Sequence, residues 1–200
     1  MTIDAINKAA RRVPTWAIYI AGLLPVPWLL YLAQTGGLGR EPITALEHRL
    51  GELALQLLVA VLVISPLRRH VGVNLLKFRR ALGLLSFLYV ALHLLVWLVL
   101  DVGILSQIWA DIVKRPYITV GMLAFALMLP LALTSNNWSV RRLGPSWRQL
   151  HRLTYVAASL GAVHYFMLVK TIEIEPLVYM ATVVGLLALR IPRTRRKQAA

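Results

Sequence analysis

Three histidines stand in or beside long apolar runs. His93 lies within residues 81–100, and His151 and His164 lie within WRQLHRLTYVAASLGAVHYFMLVK, residues 147–170. An ionisable side chain inside a bilayer is expensive to bury, so by default it marks a function. His151 and His164 are thirteen residues apart. In one α-helix that spacing is a rise of about 20 Å, with a rotation that returns both rings to roughly one face. His93 stands thirteen residues beyond Arg80, and His164 sixteen beyond Arg148 or twelve beyond Arg152. His93 is therefore about 20 Å from one membrane surface and His164 about 24 Å, or about 18 Å if Arg152 marks that surface, which is a similar depth. Imidazoles from two helices at one level predict a shared metal. Zinc takes three or four ligands, and no carboxylate stands at this depth. Haem iron takes two axial ligands, of which imidazole is a common one. A bis-histidine haem is the chemistry these residues fit best. The alternative is two separate neutral histidines, each hydrogen-bonded to a neighbouring helix.

The flanking residues are compatible with either reading. Ala157 and Gly161 precede His164 by seven and three positions on its helical face, where small side chains admit either a flat macrocycle or a close helix neighbour. Tyr89 and Trp97 flank His93 at four residues on either side, as porphyrin walls or as core aromatics. His151, between Arg148 and Arg152, is a candidate ligand of a second, inner haem, with His70 as its candidate partner. His48 sits near the outer start of a helix, an ordinary place for an interfacial polar residue.

The elements that must position these rings are all helical. The chain has 200 residues, enough for one domain spanning 1–200, and is 58% hydrophobic with mean hydropathy +0.68. There are no cysteines, which excludes disulfides, thiolate zinc sites and iron–sulfur clusters. Net charge is +14, but the basic residues flank apolar runs instead of forming one soluble basic face, which argues against nucleic-acid binding. Six transmembrane helices in an all-α bundle are predicted, at about 15–33, 44–65, 81–100, 116–134, 147–169 and 177–191. The first bends at Pro25 and Pro27, and a short interfacial segment is expected around Ile108–Trp109. SNNWSVRRLGPSW reads as a polar turn. With both termini cytoplasmic, every basic residue falls on the inner side except Arg40, Arg49, Lys114, Arg115 and Lys170, and every acid except Asp4 falls outside. This is the positive-inside pattern. The inner basic surface, including Arg68, Arg69, Lys77 and Arg142, is suited to anionic groups such as a propionate, a flavin phosphate or a donor protein. No glycine fingerprint for a dinucleotide is present.

The succession GLLPVPWLLY, GGLGREP, ISPLRR, RRALGLLSFLYVALHL, KRPYITVG, LALTSNNWSVRRLG, WRQLHRLTYV and HYFMLVK resembles the MsrQ (YedZ) family. The likeness runs from about residue 15 to 191. That family is the haem-binding membrane subunit of the bacterial MsrPQ protein-methionine-sulfoxide reductase system, related to ferric reductases and NADPH oxidases. The resemblance implies a bacterial inner-membrane cytochrome with haem b, one or two, and FMN as a further cofactor. It implies electrons from the quinone pool or a cytoplasmic flavin reductase, and a periplasmic molybdenum reductase, MsrP, as acceptor and site of methionine sulfoxide reduction. By position in matching motifs, His93, His151 and His164 correspond to the family's haem histidines. The wider superfamily pairs two histidines on each of two helices. Here Arg80 and Arg79 stand where the partner thirteen or fourteen residues before His93 is expected, so the inner site lacks that ligand. A small histidine-containing transporter or proton channel without haem is the rival reading of the intramembrane histidines.

Overall fold

The computed structural model describes residues 2–169 and 173–190, and among these every regular element is helical. In chain order the helices are α1 (Ile3–Arg12), α2 (Thr15–Leu23), α3 (Pro25–Thr35), α4 (Pro42–Pro66), α5 (Arg79–Val96), α6 (Leu105–Lys114), α7 (Pro116–Leu133), α8 (Asn137–Leu143), α9 (Pro145–Leu150), α10 (Leu153–Leu168) and α11 (Ile174–Ala188). Prolines open α4, α7 and α9, where a missing N–H leaves no bond unmade. Pro25 and Pro27 withhold two donors from the ladder, so α2 and α3 form one rod interrupted at Leu24, which keeps right-handed helical angles. α4 and α5 each run on through a wider, π-type turn, over 67–71 and 97–102. Those turns end at Gly72 and Gly103, both at positive φ, where a residue without Cβ is favoured.

Four rods are long and apolar enough to cross a membrane: Thr15–Thr35, Pro42–Val71, Leu76–Val102 and Pro116–Leu133. α10 and α11 are shorter, at 16 and 15 residues. α4 packs most extensively on α5, and α10 on α7, with α11 lying against α10 and α4. Hydrocarbon gives helices little solvophobic reason to associate, so the contacts rely on close packing of small residues. Ala157, Ala158 and Ala162 of α10 are accordingly buried against Leu58 and Leu62 of α4, Met128 of α7 and Val183 of α11. A second core joins Leu29, Leu46, Leu50, Ala54, Tyr89 and Val96 across α3, α4 and α5. Two hydrogen bonds lock these layers: the buried Ser86 hydroxyl donates to the Ala54 carbonyl at 2.8 Å, and Tyr89 to the Gly22 carbonyl at 2.7 Å.

Several boundaries differ from the expectation. The fifth predicted helix, 147–169, is not continuous: α9 ends at Leu150, His151 and Arg152 form a turn, and α10 starts at Leu153. Thr134 and Trp147 engage the ring at that turn and hold it there. SNNWSVRRLGPSW is not a simple turn but carries α8 and α9. The Asn136 side chain caps α8 by accepting from the Ser139 N–H at 2.8 Å. The third predicted helix extends as a helical rod past Asp101. The short segment expected around Ile108–Trp109 is the helix α6, and the last helix lies at 174–188, while the expected end at Ile191 falls outside the described residues. α1 was not expected. Asn7 fastens it to Gly72 and Asn74, and the Lys77 ammonium donates to the carbonyls of Arg11 and Val13 at its C-terminus.

Candidate functional site

Polar groups concentrate at the two ends of the bundle. One end, where α4 leaves and α5 enters, is rich in arginine. The other carries Glu47, Glu52, Asp101, Asp111 and Glu175. Near this acidic end His93 of α5 and His164 of α10 face each other, with ring centres 6.2 Å apart and planes inclined at 76°. Each ring is fixed by a helix other than its own. His93 Nδ1 donates to the Glu47 carbonyl of α4 at 2.9 Å, and His164 Nδ1 to the Tyr117 carbonyl of α7 at 2.7 Å. A carbonyl only accepts, so each Nδ1 carries the proton, and in the neutral ring Nε2 then keeps a free lone pair. That is the state of a metal-binding imidazole, whose second nitrogen characteristically donates to a carbonyl or carboxylate.

The spacing also fits a metal. A metal–nitrogen bond is about 2 Å and an imidazole nitrogen lies about 1 Å from its ring centre, so trans imidazoles on one metal have centres roughly 6 Å apart. The donor set is two neutral nitrogens. Among the described residues no group of three or more His, Cys, Asp or Glu is placed to hold a metal ion. Two axial ligands and no more is the requirement of haem iron and not of structural zinc. The residues present therefore fit a bis-histidine haem.

His151 is in a different state. Its Nε2 is 3.0 Å from Thr134 Oγ1, and that hydroxyl spends its own proton on the Pro130 carbonyl at 2.6 Å. The oxygen must accept, so His151 Nε2 carries the proton here. The ring stacks on Trp147, centres 3.9 Å apart, and Trp147 Nε1 donates to the Thr134 carbonyl at 2.9 Å. Partial burial, and then the Arg79 guanidinium, hold the His151 pKa below the ordinary histidine value. His70 is exposed on the turn after α4. Arg80, which stands where the wider superfamily places a histidine, is engaged with Asn137 Oδ1 at 2.8 Å. For Nε2 of His151 to serve as a ligand, its bond to Thr134 must first be released.

The other candidates fall into packing roles. Ala157 and Tyr89 are core residues, and Trp97 is buried. His48 is exposed. A cavity of about 420 Å³ at the acidic end, lined by Asp101, Gln107, Asp111, Lys114 and Arg115, contains no imidazole. Sequence reasoning missed the acceptors at Glu47, Tyr117 and Thr134, because two are backbone atoms and the third is a threonine just past the end of an apolar helix. At the arginine-rich end Pro66 has no N–H to give the Leu62 carbonyl. Arg190 supplies the missing donor from α11's end, bonds the Tyr155 hydroxyl at 2.9 Å and lies over the Tyr155 ring.

Long apolar helices with a histidine pair between them define a multi-pass helical membrane protein, and the family described as ferric reductase like transmembrane component matches residues 50–162. That span runs from α4 into α10 and includes His93 and His151. Proteins named protein-methionine-sulfoxide reductase heme-binding subunit MsrQ from Brucella ovis and Brucella canis are each 49% identical over 179 residues, covering 89% of this chain and 81% of the relative. The chain belongs to the MsrQ family, within the ferric reductase-like transmembrane class.

Proposed function

We propose that this chain is a haem b electron-transfer subunit of the bacterial inner membrane, with six spans and both termini cytoplasmic. One observation carries the proposal: His93 and His164 stand 6.2 Å apart, each with Nδ1 tied to a backbone carbonyl and Nε2 left free. The relatives' name, heme-binding subunits of a protein-methionine-sulfoxide reductase, supports it. Haem b supplies the one-electron carriage. The chain's own part is to hold two neutral imidazoles in place, fix their tautomers and bury them between α4, α5, α7 and α10.

In this reading the acidic end faces the periplasm and a molybdenum-containing reductase, MsrP, where methionine sulfoxide is reduced. No cysteine is available on this chain to ligate molybdenum. The arginine-rich end faces the cytoplasm and receives electrons from the quinone pool or a flavin reductase, with FMN as a further candidate cofactor there. The positive-inside charge bias supports this orientation. α10 and α11 complete the six spans, with α10 preceded by α9 and Arg190 tying the end of α11 to the Leu62 carbonyl of α4. His151 is retained as the candidate ligand of an inner haem, in a conformation that has released Thr134.

The test is an optical spectrum of the full-length protein purified in detergent, oxidised and then reduced, with haem quantified against protein. A reduced low-spin b-type spectrum that disappears in His93→Ala and in His164→Ala is expected. A folded, colourless protein from haem-replete cells would falsify the reading and bring the transporter forward. Reoxidation of the reduced protein by MsrP plus methionine sulfoxide tests the acceptor.

A further inference from the structure

Glycine is a poor residue for a helix interior, where alanine is favoured on propensity alone. α4 and α7 nevertheless each carry a glycine four residues after the carbonyl that holds a histidine: Gly51 follows Glu47, and Gly121 follows Tyr117. In an α-helix the carbonyl of one residue bonds the N–H four residues on. Each histidine therefore shares its acceptor with the N–H of a glycine, which a carbonyl with two lone pairs allows.

The space explains the residue type. A Cβ at position 121 would lie 2.8 Å from His164 Nδ1 and 2.9 Å from its Cε1. A Cβ at position 51 would lie 3.1 Å from His93 Nδ1 and 3.3 Å from its Cε1. In both cases the third nearest atom is Cγ, so the Nδ1 edge of each ring lies against the glycine and the Nε2 edge points away from it. The other helical glycines have no such neighbour. Gly22 would meet the Leu85 side chain at 2.4 Å, Gly161 makes an ordinary contact with Leu55, and Gly83 and Gly185 meet nothing.

We propose that Gly51 and Gly121 are positioning residues for the haem ligands: each opens one helix surface so that a histidine ring can reach the carbonyl behind it and present Nε2 to the iron. The inference rests on the haem reading above. It adds that α4 and α7, which contribute no axial ligand, set ligand tautomer and ring orientation through one repeated device, a carbonyl and a glycine four residues later. An added methyl group pushes the ring off the carbonyl. The Nδ1–H bond raises ligand basicity, so losing it favours the reduced iron and moves the midpoint potential in the positive direction.

The experiment compares Gly121→Ala, Gly51→Ala, Gly22→Ala and Gly83→Ala with wild type, all as full-length purified protein. The readouts are haem-to-protein ratio, midpoint potential by redox titration, and the low-temperature paramagnetic resonance spectrum of the oxidised form. Gly121→Ala is expected to weaken haem retention about tenfold or more, the scale of a lost outer-shell partner. Gly51→Ala, with the looser contact, changes retention less. Haem that either variant retains has a more positive potential and an altered resonance spectrum. Gly22→Ala lowers thermal stability with no change in potential, and Gly83→Ala, which meets no neighbour, leaves the potential unchanged and raises stability slightly on helix propensity.

If Gly121→Ala fails to fold, Gly51→Ala carries the test alone. Wild-type ratio, potential and line shape in the glycine variants would overturn the proposal. So would a loss of stability without a spectroscopic change, the behaviour expected of Gly22→Ala. A wild-type protein without haem would defeat the haem reading itself. Haem that depends on His93 and His164 but ignores both glycines would defeat only this inference.

Discussion

At the acidic end of the bundle two imidazoles give their Nδ1 protons to backbone carbonyls and keep Nε2 free, whereas at the arginine-rich end His151 gives its Nε2 proton to Thr134 and is covered by Trp147. The side chain is the same in all three cases. The difference lies in what the neighbouring helices offer. A carbonyl offered at Nδ1 leaves Nε2 of a neutral ring able to ligate, and a hydroxyl offered at Nε2 occupies that nitrogen. The arginine-rich end follows the same rule more widely: Arg190 serves the carbonyl left by Pro66, and Arg80 serves Asn137. One end holds lone pairs in reserve while the other uses its polar groups to hold helices together.

The largest expected effect separates the two ends directly. His93→Ala or His164→Ala removes the haem of the acidic end, whereas His151→Ala leaves that haem's reduced bands in place, as read by pyridine haemochrome and difference spectra. A His151→Ala protein devoid of all haem would break the comparison. In wild type, one haem per chain would fit the conformation described for His151, and two would mean that Thr134 yields its place.

Next in size is Arg190→Leu. It leaves the Leu62 carbonyl and the Tyr155 hydroxyl without their charged donor, at a cost of about 2 kcal/mol. It should lower the thermal unfolding midpoint in detergent without moving the haem spectrum of the acidic end. A spectral change of the size seen in His93→Ala would show that the two ends are not separable.

Thr134→Val is expected to be smaller, about 1 kcal/mol, because it removes the acceptor of one partly buried imidazole N–H. It also sharpens the comparison: if haem content rises above that of wild type, Thr134 is what keeps His151 from ligating. The smallest effect is that of Arg49→Ala. The exposed Arg49–Glu52 pair at 3.0 Å contributes less than about 0.5 kcal/mol, so stability and spectrum should both stay at wild-type values.

Much of the architecture was legible because a bilayer imposes length and charge rules that leave marks in one dimension. Four rods satisfy those rules by length and composition, and Pro116 opens α7 where the fourth helix was expected to begin, as its missing N–H requires. Polar segments were read less well. SNNWSVRRLGPSW looks like a turn because it is hydrophilic, but an asparagine cap and a proline at the first helical position fold it into two short helices. The break at His151 was likewise invisible, since the ring's partner there, Thr134, stands seventeen residues earlier at the end of α7.

For the site, residue types and spacing alone predicted that His93 and His164 stand at a similar level, and the two rings do face each other with centres 6.2 Å apart. Sequence could not say whether His164 is partnered with His93 or whether either ring has a free nitrogen. The answer depends on Glu47 and Tyr117, 46 and 47 residues away, and on glycines that let the rings approach. A tautomer is set by the acceptor a ring meets, and that acceptor is chosen only when helices pack. Apolar length and charge bias belong to each segment by itself and are therefore written in the sequence. The free Nε2 lone pairs belong to contacts between segments, and only the tertiary structure decides them.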